Sequence, residues 1–281
     1  TYMAIRRPDG YVGKPLELGE GTKALSMVYG NTSDPTFTTP FPVDFTFLKR
    51  PGAVENWTAA ARLIDEKYLH TNLANAEATD TNIVFDYSNG FQQSSGYNTY
   101  LSWNWKRHSG FDVMTWVGNG VDLYTSPRFI SHNLNKIPEM VWIKYRSKSG
   151  SSYGGDMWYV YHTGLNGGSN PNNYHIALSS SNGQAADGVI DVGTTASHLG
   201  LRRPGGDSSA TNDNTANYIA FLFASVEGIS KVSKYTGTGS SGLSVTTGFQ
   251  PRFLLIKRSD AGSTNWLVFD SVRGFGSGND S

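Results

Sequence analysis

The chain contains no cysteine among its 281 residues. Disulfides therefore contribute nothing to its stability, and zinc-finger or thiol chemistry is excluded. Charge is scarce too: Asp, Glu, Lys and Arg make up 16% of the residues, below the usual quarter. The 23 basic and 23 acidic residues cancel, so no basic surplus points to DNA or RNA and no acidic tail to a solvating arm. No apolar run approaches the ~18–20 residues of a membrane span, so membrane insertion is not expected. Thr1 opens the sequence with no charged-then-apolar leader. No signal peptide is visible, and the chain is read as beginning internally. Ser, Thr, Asn and Gly take the place of the missing charges, which suits extracellular or virion proteins and is found in cytosolic β-proteins too.

Catalytic patterns are missing as well. The six histidines, His70, His108, His132, His162, His175 and His198, show no zinc-ligand spacing. Hydrogen-bonded or exposed imidazoles are the plainer reading. Asp187 and Asp191, read as lying on one strand face, would stand about 13 Å apart along it. A glycosidase pair needs roughly 5–9.5 Å. Asp207, Asn212, Asp213 and Asn214 crowd oxygen ligands into one loop, but lack the alternating Asp pattern of a calcium loop. Gly118-Asn119-Gly120 and Gly237-Thr238-Gly239 lack the third glycine and the helix of a dinucleotide site, so hairpin turns are expected there. No cofactor, no metal site and no enzyme activity are expected.

What the chain does hold is one phrase written three times. Tyr2-Met3-Ala4-Ile5-Arg6-Arg7 leads to Gly10 and Gly19-Glu20-Gly21. Tyr100-Leu101-Ser102-Trp103-Asn104-Trp105 leads to Gly110 and Gly118-Asn119-Gly120. Tyr218-Ile219-Ala220-Phe221-Leu222-Phe223 leads to Gly228 and Gly237-Thr238-Gly239. The spacing is that of whole small domains, not of solenoid repeats of about 20–50 residues. Further landmarks recur in order. Pro42, Pro138 and Pro251 open apolar runs that end in Lys49, Lys144 and Lys257. Arg50, Arg146 and Arg258 follow, and then Trp57, Trp158 and Trp266. The units read as 10–109 and 110–227, with 1–9 a closing strand of a preceding or permuted unit and 228–281 the opening half of a further one. Units of this length can each close a core without staples.

Short runs rich in aromatic and β-branched residues, punctuated by Gly and Asn turns, predict about seven strands per unit. Met140-Val141-Trp142-Ile143 reads as buried on both faces. Asp112 to Trp116 alternates and predicts one solvent-facing side. One helical patch is expected from Trp57 to Tyr68. The fold class is all-β, as tandem β-sandwich (jelly-roll-like) repeat domains. The recurring Trp57, Trp158 and Trp266 are assigned to core packing. Trp116 and Tyr153, not shared between units, are the glycan-binding candidates.

The run Phe111-Asp112-Val113, Thr115 to Gly120, Ile130 to Leu134, Pro138-Glu139-Met140 and Trp158 to His162 resembles a repeat in marine bacteriophage and cyanophage virion proteins. So does Tyr218 to Gly239. The family is a domain of unknown function in proteins labelled tail fibre or tail-associated. The resemblance is strongest over 99–270 and looser over 1–98, and Arg202-Arg203-Pro204-Gly205-Gly206 stands outside the pattern. It implies a virion location and a structural or adhesive role, and supplies no catalytic residues. Expected partners are other copies of the chain in a homo-oligomer such as a trimer, other tail proteins, and a host-surface glycan. A polysaccharide-depolymerising tailspike and a non-binding spacer are the alternatives.

Overall fold

The computed structural model describes residues 23–147, 157–202 and 209–275. The predicted closing strand at residues 1–9 lies outside them. The first stretch forms β1 (Leu25–Tyr29), β2 (Phe37–Thr38), β3 (Phe45–Lys49), β4 (Thr58–Ala61), β5 (Lys67–His70), β6 (Ala78–Thr79), β7 (Gly90–Phe91) and β8 (Leu101–Trp105). The second forms β9 (Phe111–Val117), β10 (Arg128–Ser131), β11 (Met140–Tyr145), β12 (Trp158–His162), β13 (Tyr174–Ala177), β14 (Ala185–Ala186), β15 (His198–Leu201), the short helix α1 (Ser209–Asn212) and β16 (Asn217–Phe223). A hairpin of β17 (Phe253–Ile256) and β18 (Leu267–Asp270) follows. The class is all-β and antiparallel.

One connectivity occurs twice. The first six-stranded sheet runs β1-β8-β3-β4-β5-β6 and the second β9-β16-β11-β12-β13-β14. Each carries a two-stranded companion, β2-β7 for the first and β10-β15 for the second. Among the described residues each stretch thus has eight strands where the sequence suggests about seven.

Period-2 alternation assigns the faces. On β3, Phe45 and Phe47 point to one side and Leu48 to the other. On β16, Ile219 and Phe221 oppose Tyr218, Ala220 and Leu222. The outer faces have separate cores: Phe37, Phe41, Phe85 and Phe91 under the first sheet, and Trp116, Leu134, Tyr159 and Tyr218 under the second. The inner faces meet in one shared core containing Phe45, Trp103, Trp142, Trp158 and Phe221. Phe45 lies 4.2 Å from Phe221 between ring centroids. The two stretches therefore do not close their hydrophobic interiors independently. Each aromatic buried here contributes about 1.5–3 kcal/mol of transfer free energy, and removing either stretch would return the other's inner face to water.

Three local expectations are corrected. The helical patch from Trp57 to Tyr68 is instead β4, a 3-10 turn at Arg62–Ile64 and β5. Ala59 and Ala61 fit under the shared core while Ala60 faces the outer one, so strand pairing overrides alanine's helix preference. The alternating Asp112–Trp116 run meets solvent only at Thr115, because Phe111 and Val113 on that same face enter the shared core and Met114 and Trp116 the outer one. Gly118-Asn119-Gly120 is no hairpin turn: β9 pairs with β16, and β10 belongs to the companion sheet. A Cβ on Gly118 would stand 1.9 Å from the Asp213 carbonyl oxygen, and Gly120 has φ +69°, so close approach and a left-handed turn explain these glycines.

Candidate functional site

Three hairpins share one register. Leu48 faces Thr58, Ile143 faces Tyr159, and Ile256 faces Leu267. Each carries a lysine at or beside the end of its first strand (Lys49, Lys144, Lys257) and a tryptophan at or just before the start of its second (Trp57, Trp158, Trp266). In two of them these side chains reach across to the preceding sheet. Trp158 Nε1 donates to the His70 carbonyl at 2.8 Å, and Trp266 Nε1 to the Ala177 carbonyl at 2.9 Å. His70 and Ala177 are counterparts, the last residues of β5 and β13.

The lysines repeat the relation. Lys144 Nζ donates to Ala74 O and Lys257 Nζ to Ser181 O, each at 3.2 Å. These carbonyls lie four residues beyond His70 and Ala177. A backbone bond completes the set: Glu77 N–H donates to Arg146 O at 2.9 Å, and Gln184 N–H to Ser259 O at 2.7 Å. Burial draws the Lys257 ammonium below its ordinary range, and Thr264 O at 2.8 Å supplies it a further acceptor.

Among the described residues the first hairpin has no such partner. Lys49 Nζ turns back onto the Glu55 carbonyl. Trp57 packs on Phe47 and Trp103, with centroids 5.7 and 5.2 Å away. Its indole N–H has no hydrogen-bond partner among the described residues. Beside it opens a groove of about 450 Å³ lined by all three hairpins and by Asn72, Ser179–Ser181 and Arg273. Trp142 also lines the groove, and its buried Nε1 has no partner among the described residues. The groove therefore pairs an aromatic wall with two indole donors that no described residue satisfies.

Its charges are already engaged. Glu55 accepts from Tyr100 OH at 2.7 Å and from Arg50, and the tyrosine bond leads in holding its carboxyl below the ordinary range. Burial, then the Glu55 bond, pushes Tyr100 up to about 12. Arg273 Nε sits 2.7 Å from Asp270 Oδ2, which also accepts from Trp103 Nε1 at 3.2 Å. With those charges internally matched, the groove favours an uncharged ligand rich in hydrogen-bond acceptors.

The residues singled out from sequence lie elsewhere. Trp116 is 7% exposed, stacked on Tyr218 at 5.2 Å, with its indole N–H on Thr211 O at 2.9 Å. No face of it is open to a sugar, which corrects its assignment as a glycan platform. Tyr153 lies outside the described residues. Trp158 is fully buried, while Trp57 and Trp266 pack at the margin of the shared core.

The polar candidates have structural partners. His108, His132 and His175 are buried, and each ring bonds to backbone. Asp187 and Asp191 do not share a strand: Asp187 follows β14, and Asp191 Oδ1 caps a turn by accepting from Gly193 N–H at 2.7 Å. In the amide-rich loop, Asp207 lies outside the described residues. Asn212 ties Asn119 and Val121 to Arg128, and Asp213 Oδ2 accepts from Tyr145 OH at 3.2 Å. Among the described residues no group of three His, Asp or Glu side chains gathers as a metal site, and no helix is long and apolar enough to cross a membrane.

Sequence reasoning marked the lysines and tryptophans but not their acceptors. Those are backbone carbonyls, which leave no residue signature. No curated protein and no solved structure matched the chain. A family model described as Domain of unknown function (DUF7483) matches residues 22–279, spanning both six-stranded sheets and the C-terminal hairpin, and the chain belongs to that family.

Proposed function

We propose that this protein is a structural repeat module of a phage tail appendage, built of tandem jelly-roll-like β-sandwich units and contributing to host attachment. The observation that carries the reading is the docking relation repeated at matched positions, Trp158 to His70 and Trp266 to Ala177. A contact used once holds two elements together; the same contact used in succession is a rule for adding units. The resemblance of Phe111–Gly120 and Tyr218–Gly239 to virion repeats supports the location. A scarcity of charge, at 16% of residues, limits non-specific adhesion.

Attachment falls to exposed side chains on and beside β10. Tyr124 is 67% exposed and Phe129 47%, and both follow the Gly118–Gly120 turn. Such rings can stack on the apolar C–H faces of a sugar. Copies assembled side by side would multiply weak contacts.

Electron microscopy and a mass measurement on the purified protein, with antibody labelling of phage particles, test the structural role. The expected result is a homo-oligomer and label on the tail. A monomeric mass together with unlabelled particles overturns it. Glycan-array binding lost in Tyr124→Ala supports the adhesive part, and a blank array reduces the role to that of a spacer.

A further inference from the structure

We propose that the groove beside Trp57 is a docking site for an extended strand from another polypeptide, of the same kind as residues 67–77 and 174–184. The inference rests on the recurrent contacts alone and holds whether or not the protein belongs to a virion.

Two of three equivalent hairpins already hold such a segment. Trp158 and Lys144 grip the chain at His70 and Ala74; Trp266 and Lys257 grip it at Ala177 and Ser181. Trp57 and Lys49 present the same two donors from the same register, with no segment across from them among the described residues. The free surface thus continues an established interface.

The sheet edge beside the groove agrees. β4 and β12 each pair on their far side with β5 and β13. Among the described residues β18 pairs only with β17. An edge strand with unpaired backbone groups is a template for strand addition. A segment laid along Leu267–Asp270 would bring its terminal carbonyl to Trp57 Nε1, as β5 brings His70 O to Trp158. The carbonyl four residues on would fall to Lys49 Nζ, in exchange for Glu55 O.

The occupant's chemistry follows from its counterparts. Leu69 and Ile176, one residue before the gripped carbonyl, are 1% and 4% exposed and enter the shared core. The docked strand therefore needs an aliphatic residue there, and open carbonyls next to it and four residues further on. A peptide backbone meets the acceptor requirement of the groove without bringing a charge.

The test uses the full chain with 15N-labelled tryptophan and a synthetic peptide of residues 171–186. The Trp57 indole signal is assigned by its loss in Trp57→Phe. Adding peptide to millimolar concentration is expected to shift that signal saturably and slow its hydrogen exchange, leaving Trp158 unmoved. Ile176→Asp within the peptide should weaken binding at least tenfold. A Trp57 signal that stays still overturns the proposal. So does one that moves equally with the Asp peptide, or that moves with a panel of sugars but not with the peptide.

Discussion

Trp158 Nε1 donates to the His70 carbonyl at 2.8 Å, tying the second sheet to the last residue of β5 in the first. The pair joins stretches 88 residues apart in sequence, and the ring is fully buried. Trp158→Phe keeps most of the packing and leaves that carbonyl without its donor, at a cost of about 1–2 kcal/mol. Trp158→Ala also opens a cavity and costs about 3–5 kcal/mol. Urea unfolding of the two variants should separate these values.

Trp266 makes the same bond from a more exposed hairpin. Its loss should act locally. In Trp266→Ala, hydrogen exchange is expected to accelerate across β17 and β18 while β11 and β16 keep their protection. Uniform acceleration throughout the chain would mean that the hairpin is integral to the global transition.

The shared core implies interdependence. Residues 23–109 produced alone would expose Phe45, Phe47 and Trp103. That fragment is expected to bind a hydrophobic dye and self-associate, and to lose the dye when mixed with residues 110–281. A monomeric, dye-free fragment with cooperative unfolding would show the inner face to be dispensable.

His108 sets a pH dependence. Burial first, then Lys106, pushes its pKa down to about 4 from the ordinary 6.5, and its Nδ1 accepts from Gly110 N–H at 3.0 Å. Between those values the unfolded chain binds the proton and the folded chain does not, so stability falls as pH drops from about 6.5 to about 4. The loss from this group is about 3 kcal/mol at most. Urea midpoints at pH 7 and 4.5 should differ accordingly, and His108→Gln should flatten the difference.

Gly118→Ala places a methyl group against the Asp213 carbonyl oxygen, 1.9 Å from the ideal Cβ position. The backbone must move, and a loss of about 1–3 kcal/mol is expected. Thermal melts would register it, whereas Gly96→Ala, with nothing within 4 Å, should lack this steric cost.

Much of the fold was legible because strands alternate. Phe45 and Phe47 on one face of β3, with Leu48 on the other, follow from period 2 alone. The landmarks Lys144 and Trp158 were legible as recurring residues. Their purpose was not, because the acceptors are carbonyls and the intervening lengths differ: His70 follows Trp57 by 13 residues, and Ala177 follows Trp158 by 19. Ala59 to Ala61 misled because helix preference is local, whereas pairing with β3 and β5 is not. Trp116 misled because being unshared between stretches says nothing about burial.

A contact that joins unlike surfaces has a direction and a hand. Repeated, such a contact either travels along an axis or turns about it. Here the second step comes back: Trp103 of β8 donates to Asp270 of β18, and Phe253 of β17 lies 5.4 Å from Trp105. Successive elements therefore wind around a common centre, with Phe45, Trp142 and Leu255 contributed to it in turn. Any length such an array gains would be measured in turns, as in a spiral stair, and not in beads on a string.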